Sequence, residues 1–367
     1  MQRAGGNRQV TVVVGTRPEI VKLAEIVRLL GDRVRLLHTG QHHDDELAGV
    51  FFAAARLPAP RLLAGIGGAP RHAQIGRMIE QLGEEFCATA PAVVVVQGDT
   101  NTASAGAQAA SFAGVPVVHV EAGLRSFDRA MPEEINRCVI GVVADLHCAP
   151  TPGAVAHLLA EGVPAGNIEL TGNTIVEATR RMLPGRRAAR AIAAGFGAEP
   201  DGYVLATIHR PENTDDGGRL EIILTELSKL GLPVLLPLHP RTRLAVRRHG
   251  LDSELDRLRV IPPLDHRAFL GLAQLARLLV SDSGGVQEEC TVLKRPLIVV
   301  RNSTERPEAV LAGFAHLVRP GPRLGELGRE LSADTGLAAR LARLPCPFGD
   351  GRASERIAGY LQRYLAG

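Results

Sequence analysis

The sequence predicts an α/β protein with two doubly wound domains, each a parallel sheet covered by helices. Short apolar runs rich in Val and Leu alternate with helical segments, which is the pattern of parallel strands joined by right-handed crossovers. The alternation stops once, at residues 180–202, and then resumes. The 367 residues are 45% hydrophobic and only 3% aromatic. This composition suits two cores built from Val-rich strands and Ala- and Leu-rich helices.

The first half of the chain contains five predicted strands and five predicted helices. The strand at residues 9–14 is β-branched and ends at Gly15, and the helix at 18–30 begins with a proline, which is favoured in a first turn. The other strands are predicted at residues 34–37, 92–96, 115–120 and 168–170. The other helices are predicted at residues 71–87, 102–113, 132–143 and 153–161.

The second half repeats the pattern after an Arg-, Ala-, Gly- and Pro-rich break. Strands are predicted at residues 203–207, 234–237, 259–261, 278–281 and 297–300. A helix at 286–293 follows the fourth of these strands. We therefore expect one domain over residues 1–180 and a second over 181–353. The ligand cleft is expected where the carboxyl ends of their strands face each other.

Composition excludes several classes of function. The formal net charge is only +3, and the basic residues form no block with interleaved aromatics, so nucleic acid binding is not indicated. The five cysteines have no C-x-x-C spacing, which is typical of reduced thiols in a cytoplasmic protein. The sequence also contains no signal peptide or apolar run of membrane-spanning length, so no membrane partner is expected.

The segment Ser281-Asp282-Ser283-Gly284-Gly285 is the most informative in the chain. It joins an apolar strand to a helix, and Glu288 and Glu289 follow it. A turn of small residues at this place directs free backbone N–H groups and the positive helix end toward one point. An anion, above all a phosphate, is predicted there, although Gly-Gly turns are common without any ligand.

Polar clusters follow the strands of the first domain. Arg17 and Lys22 begin the first helix and can face one anion from its amino end. Asp99 alone is typical of a helix N-cap, and Glu133 alone is typical of a first helical turn. Taken together with Glu121, these carboxylates at neighbouring strand and helix ends form a predicted acid/base group.

Histidines follow two strands of the second domain. His209 and His239, together with Arg306 near the last predicted strand, are expected to face the Ser-Gly-Gly turn, as in a diphosphate site. The first turn is not G-x-G-x-x-G, and no P-loop, metal-ligand cluster or Ser-His-Asp triad is evident. We therefore expect neither a nicotinamide nor any other cofactor, and no metal.

Eight motifs together resemble the non-hydrolysing UDP-N-acetylglucosamine 2-epimerases. They occur in family order over about residues 10–310 and are as follows: Gly15-Thr16-Arg17-Pro18-Glu19, Gln97-Gly98-Asp99-Thr100, Val120-Glu121-Ala122-Gly123-Leu124-Arg125, Pro132-Glu133-Glu134-Ile135-Asn136-Arg137, Thr171-Gly172-Asn173, His209-Arg210-Pro211-Glu212-Asn213, Asp282-Ser283-Gly284-Gly285 and Thr304-Glu305-Arg306-Pro307-Glu308. The resemblance implies two Rossmann-like domains in a GT-B architecture and a homodimer. It also implies a C-terminal helix, here within residues 354–367, that returns to the first domain.

The resemblance also implies residue roles, each carried over by matching motif. Catalytic roles fall on Asp99, Glu121, Glu133 and His209. Contacts to the UDP-sugar fall on Arg17, Lys22, Phe269, Ser283, Gly284, Gly285, Glu289 and Arg306. Some members bind an activating second UDP-GlcNAc, for which Gln41, His42, Arg71, Arg210 and His239 lie near suitable positions. The segment Gln41-His42-His43-Asp44 departs from the Q-H-R-E of many bacterial members. Leu264 stands where some members have a polar residue near the nucleobase.

The implied reaction interconverts UDP-GlcNAc and UDP-ManNAc through loss of UDP to 2-acetamidoglucal, followed by re-addition. The C2 proton is poorly acidic until the leaving diphosphate places positive charge on the ring, so the cationic groups must stabilise that diphosphate. Which carboxylate is the base and which the acid does not follow from the sequence. A hydrolysing epimerase, a GT-B glycosyltransferase and a nucleotide-sugar sensor are the alternatives.

Overall fold

The computed structural model describes residues 9–41, 52 and 57–366. The chain divides into two compact units. The first is formed by the chain up to Ala178 together with Phe348 onward, and the second is Thr179–Pro347. No helix among the described residues is both long and apolar enough to cross a membrane.

The first unit is built on a parallel sheet in which seven described strands lie in the order β3-β2-β1-β4-β5-β6-β7. The strands are β1 (Val10–Val14), β2 (Val34–His38), β3 (Arg61–Leu62), β4 (Val93–Gln97), β5 (Val117–Val120), β6 (Leu146–Ala149) and β7 (Ile168–Leu170). The helices are α1 (Arg17–Leu30), α2 (Arg71–Thr89), α3 (Asn101–Phe112), α4 (Pro132–Val143), α5 (Pro152–Ala160) and α6 (Ile175–Met182), the last of which reaches the unit boundary. Short 3-10 turns lie at Gly31–Arg33 and Ala165–Asn167.

The second unit repeats this plan with six described strands in the order β10-β9-β8-β11-β12-β13. The strands are β8 (Val204–Thr207), β9 (Val234–Pro237), β10 (Arg259–Ile261), β11 (Leu278–Ser281), β12 (Leu297–Val300) and β13 (Ala315–Val318). The helices are α7 (Arg186–Gly195), α8 (Pro211–Thr214), α9 (Gly217–Ser228), α10 (Pro240–His249), α11 (Asp252–Leu255), α12 (His266–Ala273), α13 (Gly284–Leu293), α14 (Pro307–Leu311), α15 (Pro322–Ala333) and α16 (Leu337–Arg343). The predicted break at residues 180–202 thus contains a helix, because Ala189 and Ala193 are buried on one side of it.

Both sheets are covered on both faces, as parallel sheets require. In β1, Val12 and Val14 pack with α1, whereas Val13 packs in the cluster on the opposite face with α2 and α3. The last helix, α17 (Ala353–Ala366), joins the α1 side through Ile357 and Leu361. The predicted fold class, two parallel α/β sheets each wound on both sides, is confirmed.

Strand order reverses direction once in each sheet, between β1 and β4 and between β8 and β11. At such a switch point the two flanking loops leave the sheet toward opposite faces, and a crevice opens at the carboxyl ends of the strands. Among the polar residues singled out in the sequence, Arg17, Asp99, His209 and Ser283 follow the strands at these two points.

Candidate active site

The turn between β1 and α1 permits only glycine at its first position. A Cβ atom on Gly15 would lie 2.0 Å from Oγ1 of Thr102 and 2.3 Å from Oγ1 of Thr39. These two hydroxyls are themselves joined by a 2.7 Å hydrogen bond. The backbone of the turn therefore lies directly against the first turn of α3.

Glu19 fastens this turn to the loop after β4. Its Oε2 accepts hydrogen bonds from Gly15 N at 2.9 Å and from Thr16 Oγ1 at 2.8 Å, while its Oε1 accepts one from Thr100 Oγ1 at 2.7 Å. The carboxyl group is fully buried, and burial outweighs these hydrogen bonds and raises the pKa of Glu19 to about 7. One side chain thus spans the switch point of the first sheet.

Lys22 and Glu121 form a buried ion pair in the first unit. Lys22 Nζ donates to Glu121 Oε2, which also accepts from Gln97 Nε2 at 3.0 Å. Glu121 itself has a left-handed backbone, with φ of 67°, a conformation that costs free energy for a residue with a Cβ. Arg17 is the first residue of α1, five positions before Lys22, and its side chain is partly exposed.

Asp99 is paired with Arg137 and does not cap α3. The N-cap is Thr100, whose hydroxyl accepts from Ala103 N at 3.0 Å. Arg137 Nη2 donates to Asp99 Oδ2, and its Nη1 donates to Glu134 Oε2 at 2.6 Å. The Asp99 carboxylate is therefore held by a guanidinium and stays partly exposed, at 27% of its side chain.

Two adjacent glutamates at the start of α4 have different surroundings. Glu134 is buried and accepts from the backbone N–H groups of Ser126 and Phe127 at 3.0 and 2.9 Å. Burial would raise its pKa, but these hydrogen bonds and Arg137 lower the pKa of Glu134 below the ordinary value. Glu133, the predicted catalytic residue, is only partly buried in the same helical turn. Glu134 is thus an anchor of the loop after β5, and Glu133 is the one with access to solvent.

The positions considered for an activating ligand in this unit contact α3 and α4. Gln41 Oε1 accepts from Thr102 N at 2.9 Å. Arg71 donates to Asn136 Oδ1 and to the carbonyl oxygen of Pro132, each at 2.8 Å. His42 lies outside the described residues.

In the second unit, the Ser-Gly-Gly turn after β11 begins α13 without a side-chain cap. Ser283 is the N-cap residue, and it makes no side-chain cap hydrogen bond. A Cβ atom on Gly284 would lie 2.9 Å from Arg306 Nη1 and 3.0 Å from Glu305 Oε1. A guanidinium group therefore lies beside the amino end of this helix, where N–H groups and the helix dipole already favour an anion.

Arg306 belongs to a buried network of charges. Its Nε donates to Glu288 Oε1 at 2.7 Å, and its Nη1 donates to Glu305. Glu305 also accepts from Arg301 Nη1 at 2.8 Å. The predicted phosphate-binding arginine is thus held in place by two carboxylates, which also offset part of its charge.

Asp282 occupies the switch point of the second sheet. Its side chain is fully buried, and it accepts from His209 N at 2.9 Å, Arg210 N at 2.8 Å and Asn213 Nδ2 at 3.1 Å. One carboxylate therefore fixes the loop after β8, which carries the predicted catalytic histidine, to the end of β11.

His209 and His239 lie side by side, with ring centroids 5.3 Å apart. Burial lowers the pKa of His209; Asp282 opposes this shift, whereas Arg210 and Arg241 increase it. Burial also lowers the pKa of His239, as do the neighbouring His209 and Arg241. Both imidazoles are therefore neutral near pH 7 in the absence of a bound anion.

Glu289 is bonded to a histidine that was not singled out in the sequence. His266 Nε2 and Glu289 Oε1 are 2.6 Å apart. His266 and the partly buried Phe269 are three residues apart in α12 and so share one face of that helix. The predicted UDP-sugar contacts Phe269 and Glu289 are thus linked through His266 of α12.

Sequence reasoning missed the roles of Glu19, Arg137, Asp282 and His266. A local signal exists for Glu19, because Thr16 and Glu19 have the T-x-x-E spacing of a capping box. The other three make contacts between segments distant in sequence, for which no local pattern exists. Among the described residues, no group of three His, Cys, Asp or Glu side chains is placed to hold a metal ion.

Comparison with known proteins identifies similar chains. A family model described as UDP-N-acetylglucosamine 2-epimerase matches residues 30–362. The UDP-N-acetylglucosamine 2-epimerase of Methanocaldococcus jannaschii is 38% identical over 96% of this chain and 98% of its own length. A crystal structure of the enzyme from that organism, in complex with UDP-GlcNAc and UDP, superposes with a TM-score of 0.87 at 37% identity, covering 97% of this chain and 99% of that one. The UDP-2,3-diacetamido-2,3-dideoxy-D-glucuronate 2-epimerase of Pseudomonas aeruginosa is 35% identical, covering 97% and 99% of the two chains.

Proposed function

This chain belongs to the UDP-N-acetylglucosamine 2-epimerase family, and we propose that it interconverts UDP-GlcNAc and UDP-ManNAc by inverting C2 without releasing free sugar. The observation that carries the proposal is the near full-length similarity to the M. jannaschii enzyme, whose crystal structure holds UDP-GlcNAc and UDP. The pairing of acidic and cationic groups at the two switch points supports it.

The chemistry proceeds by elimination and re-addition. The bond between C1 and the diphosphate oxygen breaks, and UDP leaves with the electron pair. A carboxylate takes the C2 proton, and the C1=C2 double bond of 2-acetamidoglucal forms. In the return step the diphosphate oxygen attacks C1, and a proton is delivered to the opposite face of C2. UDP and the glucal stay bound between the steps, which excludes water as a competing nucleophile.

The leaving diphosphate is stabilised by cations and by a helix end. His209 and the N–H groups at the start of α13 supply donors to its oxygens. Arg306 adds positive charge from its position beside Gly284. Uncapped N–H groups are free for such a ligand because Ser283 makes no side-chain cap.

The proton-transferring groups are Asp99, Glu121 and Glu133. Arg137 pairs with Asp99, and Lys22 pairs with Glu121, so a cation lies directly beside each of the first two carboxylates. Glu133 lies in the first turn of α4, next to the buried Glu134. Glu134 holds the adjacent loop through a hydrogen bond from Phe127 N.

A second substrate is favoured by one specific observation, the 35% identity to the diacetamido-glucuronate epimerase. The name of that relative also describes an inversion at C2 of a UDP-linked acetamido sugar. The same carboxylates and diphosphate groups would serve it. The difference lies in the groups at C3 and C6 of the ring.

Product analysis separates these possibilities. Purified protein is incubated with UDP-GlcNAc, or in parallel with UDP-2,3-diacetamido-2,3-dideoxy-glucuronate, and nucleotide sugars are resolved from free sugars by anion-exchange chromatography. We expect UDP-ManNAc from UDP-GlcNAc and no free ManNAc. Equimolar free ManNAc and UDP would identify a hydrolysing enzyme, and conversion of only the uronate would reassign the substrate.

Variants link this activity to the named residues. Asp99→Asn, Glu121→Gln and His209→Ala should each lower kcat by about 10² or more without unfolding the protein. The matched control is Glu84→Gln, at an exposed carboxylate of α2, which should keep the wild-type rate. Near-normal rates in all three variants would remove the catalytic assignment.

The assembly we propose is a homodimer in the cytoplasm. Phe112 on α3 and Val142 on α4 are 74% and 85% exposed, so each presents apolar surface that a partner protomer would cover. The free thiol state of the five cysteines agrees with a reducing compartment. A monomer mass in sedimentation equilibrium, or recovery outside the cytoplasmic fraction, would contradict the respective proposal.

A further inference from the structure

Asp282 is surrounded by N–H donors from the loop after β8. Oδ2 accepts from His209 N at 2.9 Å, Arg210 N at 2.8 Å and Asn213 Nδ2 at 3.1 Å, and Oδ1 is 3.1 Å from His209 N. Asn213 Nδ2 also donates to the carbonyl oxygen of Val300 at 2.9 Å. These donors provide hydrogen-bond partners for both carboxylate oxygens of Asp282. The backbone of His209 is therefore held in position by hydrogen bonds to the buried carboxylate of Asp282.

The same carboxylate faces the ring of His209. Nδ1 of His209 lies 3.4 Å from Oδ1 of Asp282, and the side chain of His209 is 33% exposed whereas that of Asp282 is 0% exposed. A negative charge at this distance favours a proton on Nδ1 over a lone pair. Nε2 is then the nitrogen left to contact a ligand.

The other groups that face His209 are positively charged or neutral. Arg210 and Arg241 disfavour a cationic His209, and His239, whose Nδ1 accepts from Arg241 N at 3.2 Å, has its neutral ring alongside. Asp282 is the one acidic group that favours the cation among those acting on His209 in the described residues. The imidazole thus has the Asp282 carboxylate beside Nδ1, while 33% of the His209 side chain stays exposed to solvent.

We propose that Asp282 is a positioning residue that makes His209 take up a proton when the diphosphate of UDP binds. The imidazolium then donates Nδ1–H toward Asp282 and Nε2–H to a diphosphate oxygen. The proton comes from solvent and enters at Nε2, so no other bond changes in this step. The inference rests on the proposed function, since it takes His209 as the group that contacts the diphosphate.

The consequence for catalysis is a cation formed only in the complex. The free protein keeps His209 neutral through burial and the two arginines. The bound diphosphate adds a second negative charge beside the ring, and this charge stabilises the imidazolium form of His209. The imidazolium of His209, held in position by Asp282, thereby donates a hydrogen bond to the leaving UDP and offsets its negative charge.

Proton uptake is measured by titrating the protein with UDP in a calorimeter at about pH 7.5, in buffers of different ionisation enthalpy. The slope of the binding enthalpy against buffer ionisation enthalpy gives the protons taken up. Wild-type protein is expected to take up a substantial fraction of a proton. Asp282→Asn is expected to take up much less and to bind UDP roughly tenfold more weakly, as expected for the loss of a charged hydrogen-bond partner.

Two further variants keep the test decisive even where Asp282→Asn does not fold. His209→Gln keeps the backbone bond to Asp282 and removes only the ring, so proton uptake should vanish. His316→Gln, on the edge strand β13 with β11 and β12 between it and β8, is the matched histidine control and should keep wild-type uptake.

The outcomes separate this inference from the proposed function. No uptake in wild-type protein, or equal uptake in the His209→Gln or Asp282→Asn variants, would overturn the role of Asp282 while leaving UDP binding and epimerisation intact. Failure of UDP to bind wild-type protein at all would overturn the proposed function itself.

Discussion

Glu19 and Asp282 perform corresponding tasks in the two units. Each is a buried carboxyl group that joins the two loops flanking a switch point, between β1 and β4 in the first sheet and between β8 and β11 in the second. Loops at the carboxyl ends of strands are otherwise free to vary in position. We infer that these two side chains hold the proposed catalytic groups Asp99 and His209 in register with their sheets.

Replacing Glu19 with Gln should change the pH dependence of stability. The pKa of Glu19 is about 7 in the folded protein, against 4.5 when exposed, so the folded state binds the extra proton between these values. The carboxyl group therefore favours folding fully below about pH 4.5, and this contribution is lost as pH rises to about 7. The loss is on the order of 3 kcal/mol.

The measurement is chemical denaturation of wild-type and Glu19→Gln proteins from pH 4.5 to 8. The stability of the wild type relative to the variant should fall up to about pH 7 and stay constant above it. A difference that is independent of pH over the whole range would show that the pKa of Glu19 is the same in the folded and the unfolded protein.

At the residue scale, the sequence indicated residue types better than partners. Asp99, Glu121 and His209 follow strands, so their placement near the carboxyl ends of β4, β5 and β8 was predictable. Their partners Arg137, Lys22 and Asp282 lie 38, 99 and 73 residues away along the chain. Contacts at such separations depend on tertiary packing, which no local spacing encodes.

The turn between β1 and α1 is the element whose geometry is most restricted. Gly15→Ala would place a methyl carbon 2.0 Å from Oγ1 of Thr102, well below the van der Waals contact distance of carbon and oxygen, so α3 or the turn must move. We expect a loss of about 1–3 kcal/mol in the free energy of unfolding, together with loss of most activity.

A matched glycine-to-alanine change tests this reasoning. Gly359 lies in α17, is exposed, and has no atom within 4 Å of a Cβ built on it. Gly359→Ala should stabilise the protein by about 0.5–1 kcal/mol, since alanine is the better helix former. Thermal denaturation and the epimerase assay on both variants check the pair, and equal effects of the two changes would contradict the steric account.

At the element scale, predicted strands that are apolar and β-branched agree closely with the structure. Residues 168–170, 234–237 and 259–261 were predicted with the bounds that β7, β9 and β10 have. The missed strands are β3, β6 and β13. Two exposed residues form β3, and β6 and β13 each contain a histidine and only one or no β-branched residue. Such strands form because neighbouring strands offer a free edge, not because of their own propensity.

At the scale of the whole molecule, the two-unit plan follows from composition. Strands buried on both faces need continuous apolar runs, and four consecutive valines in β4 are such a run. The return of the chain to the first unit places Ile357 and Leu361 in the core beside α1, both at 0% exposure. An amphipathic helix was predictable from the sequence there, but its site of packing was implied only by the resemblance to the family.

The central claim is that UDP leaves and returns while a proton at C2 is exchanged. Incubation with UDP-GlcNAc in heavy water, followed by NMR of the hexose, tests it directly. We predict that UDP-ManNAc forms with deuterium at C2 and that the UDP-GlcNAc pool at equilibrium also carries the label. Formation of UDP-ManNAc with hydrogen retained at C2 would contradict the account.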